Sequence, residues 1–142
     1  MRRVKQIAAL GPIGWFDLVR ASLELAVARQ LIGARTASDL LRTAGSDCSK
    51  SADSLSDDQR GLIDRVAFVV PRVAARVPWR ADCLVQALAA QRWLRRKGIP
   101  TTLHVGVPKE IPSEFEAHAW LIQGDTIVTG GDIERYTPLE VE

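Results

Sequence analysis

Cys83, His118 and Asp132 are the residues of this chain whose types and order suit covalent chemistry. A thiol attacks a carbonyl well only when something takes its proton. Imidazole does this near neutral pH, and a carboxylate can hold the imidazole in the required tautomer. Cys83 follows Asp82 at the point where the apolar helical pattern LVQALAAQRWL begins. Asp82 fits an N-cap, which puts Cys83 in the first turn, beside unpaired backbone N–H groups and the positive end of the helix dipole, where an anionic nucleophile is stabilised. The same cysteine in an Ala/Leu-rich helix also reads as a small buried hydrophobe, so its partners have to decide.

His118 lies in FEAHAWLIQ, a strand pattern, on the side opposite Ala117 and Ala119. Asp132 follows fourteen residues later, beyond a Gly124-Asp125 turn. If Gly124, Asp125 and Thr126 form a three-residue loop, His118 stands directly opposite Asp132, with Cβ atoms roughly 4.5–5.5 Å apart. A two-residue Gly124-Asp125 loop brings Gly131 opposite instead. In this reading Cys83 attacks a carbonyl, His118 takes the thiol proton and returns it to the leaving amine, and Asp132 holds the ring. The backbone N–H of Cys83 is one oxyanion donor, and Trp79 and Gln86 are weak candidates for a second. His104 reads as structural, and Trp93 and Trp120 as core. No metal-ligand spacing and no phosphate-binding glycine loop competes, so neither a metal nor another cofactor is expected.

The elements that must position these residues follow from periodicity. WFDLVRASLELAVARQLIGA predicts a helix over about 15–32, with Leu18, Ala21, Leu23, Ala26, Val27 and Leu31 on its buried side. A shorter helix, ASDLLRTA, and a Ser/Asp-rich loop carrying Cys48 come next. Ser56 and Gln59 form a capping-box pattern that opens a helix with a buried stripe of Leu62, Ile63, Val66, Val69 and Val70; Pro71 should kink or divide it. The Cys83 helix is apolar on most of its circumference and ends at Gly98. Beyond Pro100 the period changes to two: TTLHVGV, FEAHAWLIQ and TIVTGG read as strands, the last two as an antiparallel hairpin. The tail DIERYTPLEVE packs Tyr136 and Leu139 back on the rest. Helices first and strands last predict an α+β fold, in which N-terminal helices over about 15–97 pack on a C-terminal antiparallel sheet over about 101–132.

The chain has 142 residues, 46% hydrophobic and 25% charged. That suits one domain over 1–142, large enough to bury about 70% of its unfolded-chain surface. A formal net charge of +2 argues against nucleic acid. Two cysteines make no disulfide framework, and the best apolar stretch is broken by Glu24 and Arg29, so a cytoplasmic protein without a membrane span is expected.

The order DCLVQALAAQRWLRRKGIPTTLHVGV, then FEAHAWL, then IVTGGD and YTPL, resembles the transglutaminase-like cysteine peptidases of lasso peptide biosynthesis, the leader-peptidase component of that maturation machinery. The resemblance covers roughly Trp79 to Leu139. It implies a papain-like or transglutaminase-like core with Cys83 and His118 as catalytic pair. Some members carry the acid closer to the histidine, where this chain has Thr129 and Gly130, so Asp132 is the preferred third member and Asp125 a remote second. It further implies a precursor peptide as substrate and a separate ATP-dependent macrolactam cyclase acting on the freed amine. The N-terminal half reads as helices rather than a small strand-rich domain, which implies the stand-alone form with a separate leader-recognition protein. Two alternatives stay open: another transglutaminase-like amidase or acyltransferase, and a non-enzymatic peptide-binding module.

Overall fold

The computed structural model describes residues 11–34, 39, 54–110 and 117–139. The expected ASDLLRTA helix, the loop with Cys48 and the first residues of the FEAHAWLIQ strand lie outside the described residues, apart from Asp39 and Ala117. Three helices, α1 (Gly11–Ala34), α2 (Asp57–Ala74) and α3 (Cys83–Arg96), are followed by β1 (Thr102–Pro108), β2 (His118–Gln123), β3 (Thr126–Thr129) and β4 (Tyr136–Pro138). The strands form one antiparallel sheet in the order β3-β2-β1-β4. The architecture is the expected α+β arrangement. The tail does more than pack back, because residues 136–138 pair with β1 as a fourth strand.

Helix α1 starts four residues before Trp15, since a proline in the first turn needs no N–H donor and brings a suitable φ. Its buried face also differs from the expected one. Asp17, Ala21, Glu24, Leu25 and Ala28 point inward, while Leu23 and Val27 are 59% and 38% exposed. The carboxylates turn inward because each meets cations. Asp17 accepts two hydrogen bonds from Arg65, and Glu24 is bracketed by Arg20, Arg92 and Arg96. A buried carboxylate without such partners would cost several kcal/mol.

Helix α2 opens with the expected capping box: Gln59 N–H donates to Ser56 Oγ at 3.2 Å, and Ser56 N–H to the Gln59 side chain at 3.0 Å. It is neither interrupted nor divided at Pro71, and continues for three residues beyond it. Its buried stripe is Ile63, Val66, Val69, Val70, Val73 and Ala74, with Leu62 at the margin.

Helix α3 is the central element, packed against α1, α2 and the sheet. Val85, Leu88, Ala89, Ala90, Trp93 and Leu94 are buried along it. Its C-terminus closes with Gly98 at φ +72, the Gly98 N–H donating to Arg95 O and the Ile99 N–H to Leu94 O at 3.0 Å each, which is the Schellman pattern.

Strand alternation divides the sheet's two faces. Leu103, Val105, Ala119, Leu121 and Val128 join the helical core. On the other face, His104 stacks on Trp120 at 5.7 Å between centroids, and His118 forms a triangle of rings with Trp120 and Tyr136, at 6.1 and 4.5 Å from them. Trp120 is buried here rather than in the helical core, while Trp93 is in that core as expected. Gly106 makes room for the indole: a Cβ there would stand 2.7 Å from Trp120 Cη2. Burial pushes the His104 imidazole below its ordinary pKa.

Candidate active site

Asp82 caps α3 from its extended backbone position, its Oδ1 accepting from Val85 N–H at 3.2 Å. Cys83 is therefore the first helical residue, half-buried and free of disulfide linkage. The cap occupies one of the orphan donors of the first turn and leaves the earlier ones, Cys83's own N–H included, at the open end of the helix.

A cleft of about 520 Å³ opens at this helix end. It is lined by Cys83 and Gln86 from α3, Ala67 and Pro71 from α2, His118 from β2, and residues 127–131 of β3 and the turn after it. The structure thus brings Cys83, His118 and Gln86 to one site. Among the described residues no hydrogen bond joins Cys83 to His118. Gln86 is steadied by a 3.0 Å hydrogen bond from Nε2 to Ala81 O, which uses one of its two amide hydrogens. Trp79 does not line the cleft, and its indole N–H is buried without a partner.

His118 is gripped on two sides. Tyr136 and Trp120 pack against the ring, and Nε2 lies 2.7 Å from Gly130 O. A carbonyl only accepts, so Nε2 carries the hydrogen and Nδ1 is the basic nitrogen of the neutral ring.

Asp132 stands elsewhere. It is exposed, and its Oδ1 accepts from Glu134 N–H at 3.1 Å, capping a turn. Its displacement from the ring comes from the path of the chain after β3. The loop is the two-residue Gly124-Asp125 form, with Gln123 opposite Thr126 and Ile122 opposite Ile127; a bulge then sets Leu121 opposite Thr129. That shift restores the register which would carry Asp132 to His118, but pairing ends at Thr129. Gly130 and Gly131, at φ +111 and +64, turn the chain across Trp120 before Asp132 is reached. Gly130 needs its missing side chain: a Cβ there would overlap Trp120 Cβ and lie 2.9 Å from Trp120 Cα. The expected carboxylate contact is therefore replaced by a backbone one. Asp125, the remote alternative, sits in the hairpin turn and does not line the cleft.

Sequence reasoning missed the remaining walls. Ala67, Ile127 and Val128 carried no signal, whereas the Gly130-Gly131 pair and the helical Pro71 were visible irregularities. Thr129, 3% exposed, contributes to the cleft wall, and its buried hydroxyl has no hydrogen-bond partner. Among the described residues no cluster of three or more His, Cys, Asp or Glu side chains is suited to a metal ion, and no helix is long and apolar enough to cross a membrane.

The arrangement combines a thiol at a helix N-terminus with an oriented imidazole and amide donors, which is equipment for acyl transfer through a thioester. Comparison with curated proteins and with solved structures gave no match. Comparison with protein families matched residues 20–141 to the transglutaminase-like superfamily, a span that includes every residue lining the cleft and the whole sheet. The chain belongs to the transglutaminase-like superfamily.

Proposed function

We propose that this protein is a cysteine endopeptidase that removes the leader from a ribosomally made lasso precursor peptide. Membership of a superfamily that is generally of cysteine peptidase or transglutaminase type supports acyl-transfer chemistry. The sequence motifs quoted above support the leader-peptidase role. The observation that carries the reading is the meeting of Cys83 and His118 in one cleft, with Nε2 of His118 tied to Gly130.

In this mechanism Nδ1 of His118 takes the Cys83 thiol proton, and Sγ forms a bond to the scissile carbonyl carbon. The oxyanion is held by the Cys83 N–H and the second amide hydrogen of Gln86. The C–N bond breaks as His118 returns the proton to the leaving amine. Water, deprotonated by the same nitrogen, then hydrolyses the thioester and regenerates the thiol. Gly130 O keeps the ring in the reactive tautomer throughout, a task the sequence had assigned to Asp132.

The reading includes a cytoplasmic setting, a separate leader-recognition protein that delivers the precursor, and an ATP-dependent macrolactam cyclase that consumes the freed amine. Mass spectrometry of a candidate precursor incubated with the protein and the recognition partner tests it, with a shortened core peptide as the expected product. An amine-crosslinked product in place of hydrolysis would instead identify a transglutaminase-like acyltransferase. Cys83 alkylation by iodoacetamide no faster than that of glutathione, with no product, would point to a peptide-binding module.

A further inference from the structure

Pro71 breaks a local rule inside α2, and the break opens onto the cleft. In an α-helix the N–H of residue 71 would donate to the carbonyl of Ala67, one turn earlier. Proline has no N–H, and its ring presses toward that carbonyl. The helix nevertheless runs on to Ala74, so the ladder loses this bond without ending. Ala67 and Pro71 are the two α2 residues that line the cleft with Cys83 and His118, and both are half-buried rather than sealed in the core. Ala67 has only a methyl group with which to shield its own backbone. An internal proline costs an exposed helix roughly 3 kcal/mol, and here it stands in the last turn of α2, at the cleft wall.

We propose that the Ala67 carbonyl is a substrate-binding acceptor, freed by Pro71, which takes a backbone N–H of an extended peptide lying between α2 and β3. A carbonyl requires a donor from its ligand, and a peptide main chain presents one at nearly every residue. The opposite wall suits the same ligand: Ile127, 42% exposed, offers apolar contact. This subsite rests on the reading of Cys83 as an acylating nucleophile, and it adds where the peptide beside the scissile bond is gripped.

The test uses Ac-Ala-Ala-Ala-Ala chloromethyl ketone, which alkylates a nucleophilic cysteine, together with analogues in which one backbone N–H at a time is replaced by an ester oxygen. Against the wild-type protein, one ester position should slow Cys83 alkylation about tenfold, the scale of one lost hydrogen bond. Pro71→Ala restores the helical N–H and engages the carbonyl. It should raise the melting temperature, slow the all-amide probe by about the same factor, and abolish the penalty of that ester position. Iodoacetamide, which carries no peptide, should alkylate Cys83 at the same rate in both proteins. An equal ester penalty in wild type and Pro71→Ala, or no sensitive position in the wild type, would overturn the subsite. The ester scan needs no variant, so it stands even where Pro71→Ala folds poorly. Failure of iodoacetamide to alkylate wild-type Cys83 faster than glutathione would instead remove the nucleophile reading on which the subsite rests.

Discussion

The two ends of α3 are built on opposite principles. At the C-terminus, Gly98 and Ile99 return their N–H groups to the last carbonyls, and Leu94 is fully buried against the rest of the core. At the N-terminus, Asp82 caps the helix but the first turn stays open, and Cys83 faces a cleft whose walls repeatedly depart from local preference. One wall has a proline inside a helix, another a glycine at φ +111, and a third a buried hydroxyl without a partner. Local rules are obeyed where the helix is held and broken where it meets the cleft. Such departures persist only when they are compensated, and they mark functional ground.

This contrast predicts that substitutions at the closed end change stability without chemistry, and that those at the open end change chemistry, whether or not stability changes with it. The largest effect belongs to Leu94→Ala, which should destabilise the fold by about 2–5 kcal/mol in urea unfolding, while Cys83 in the folded fraction keeps its alkylation rate. Gly130→Ala comes next. Its new Cβ collides with Trp120 and moves the carbonyl that holds His118, so the catalytic rate should fall about 100-fold with a smaller change in KM. Gly131→Asn, where the added group meets open space and Asn tolerates the positive φ, should retain most activity. Equal losses for the two variants would blur the distinction between a positioned carbonyl and a generally sensitive turn.

Asp132→Asn should lower the rate by less than about threefold, because its side chain caps Glu134 N–H rather than the imidazole. A loss near that of Gly130→Ala would return the orienting role to the carboxylate. The smallest effect concerns His104. Burial holds its folded pKa below the unfolded value, so the unfolded chain binds the proton more readily. Stability is complete above about pH 6.5 and declines as the pH falls toward the folded pKa. Melting temperatures of wild type and His104→Gln at about pH 7.5 and pH 5.5 should show a shallower acid-side decline in the variant.

Much of this was legible from residue order. Ser56 with Gln59, Asp82 before Cys83, Gly98 and the alternation in TTLHVGV each report a local choice made within a few residues, and the structure follows them. What the sequence hid depends on distant partners. Asp17 and Glu24 turn α1's charged side inward only because Arg65 and Arg92 arrive 48 and 68 residues later. Thr137 becomes a strand residue only by finding Val107. In the site, residue types pointed to Cys83 and His118, but the ring's partner turned on where β3 stops pairing, at Thr129, and on the Gly130-Gly131 turn that follows. A side-chain pattern cannot announce that a backbone carbonyl will stand where a carboxylate was expected.

The proposed function stands or falls with an acyl-enzyme on Cys83. Intact-protein and product mass spectrometry of wild type and Cys83→Ala, with a candidate precursor and the leader-recognition protein, tests it most directly. Wild type should give a core peptide and a Cys83-linked thioester, and a Cys83→Ala protein of unchanged melting temperature neither. Continued cleavage by folded Cys83→Ala would contradict it.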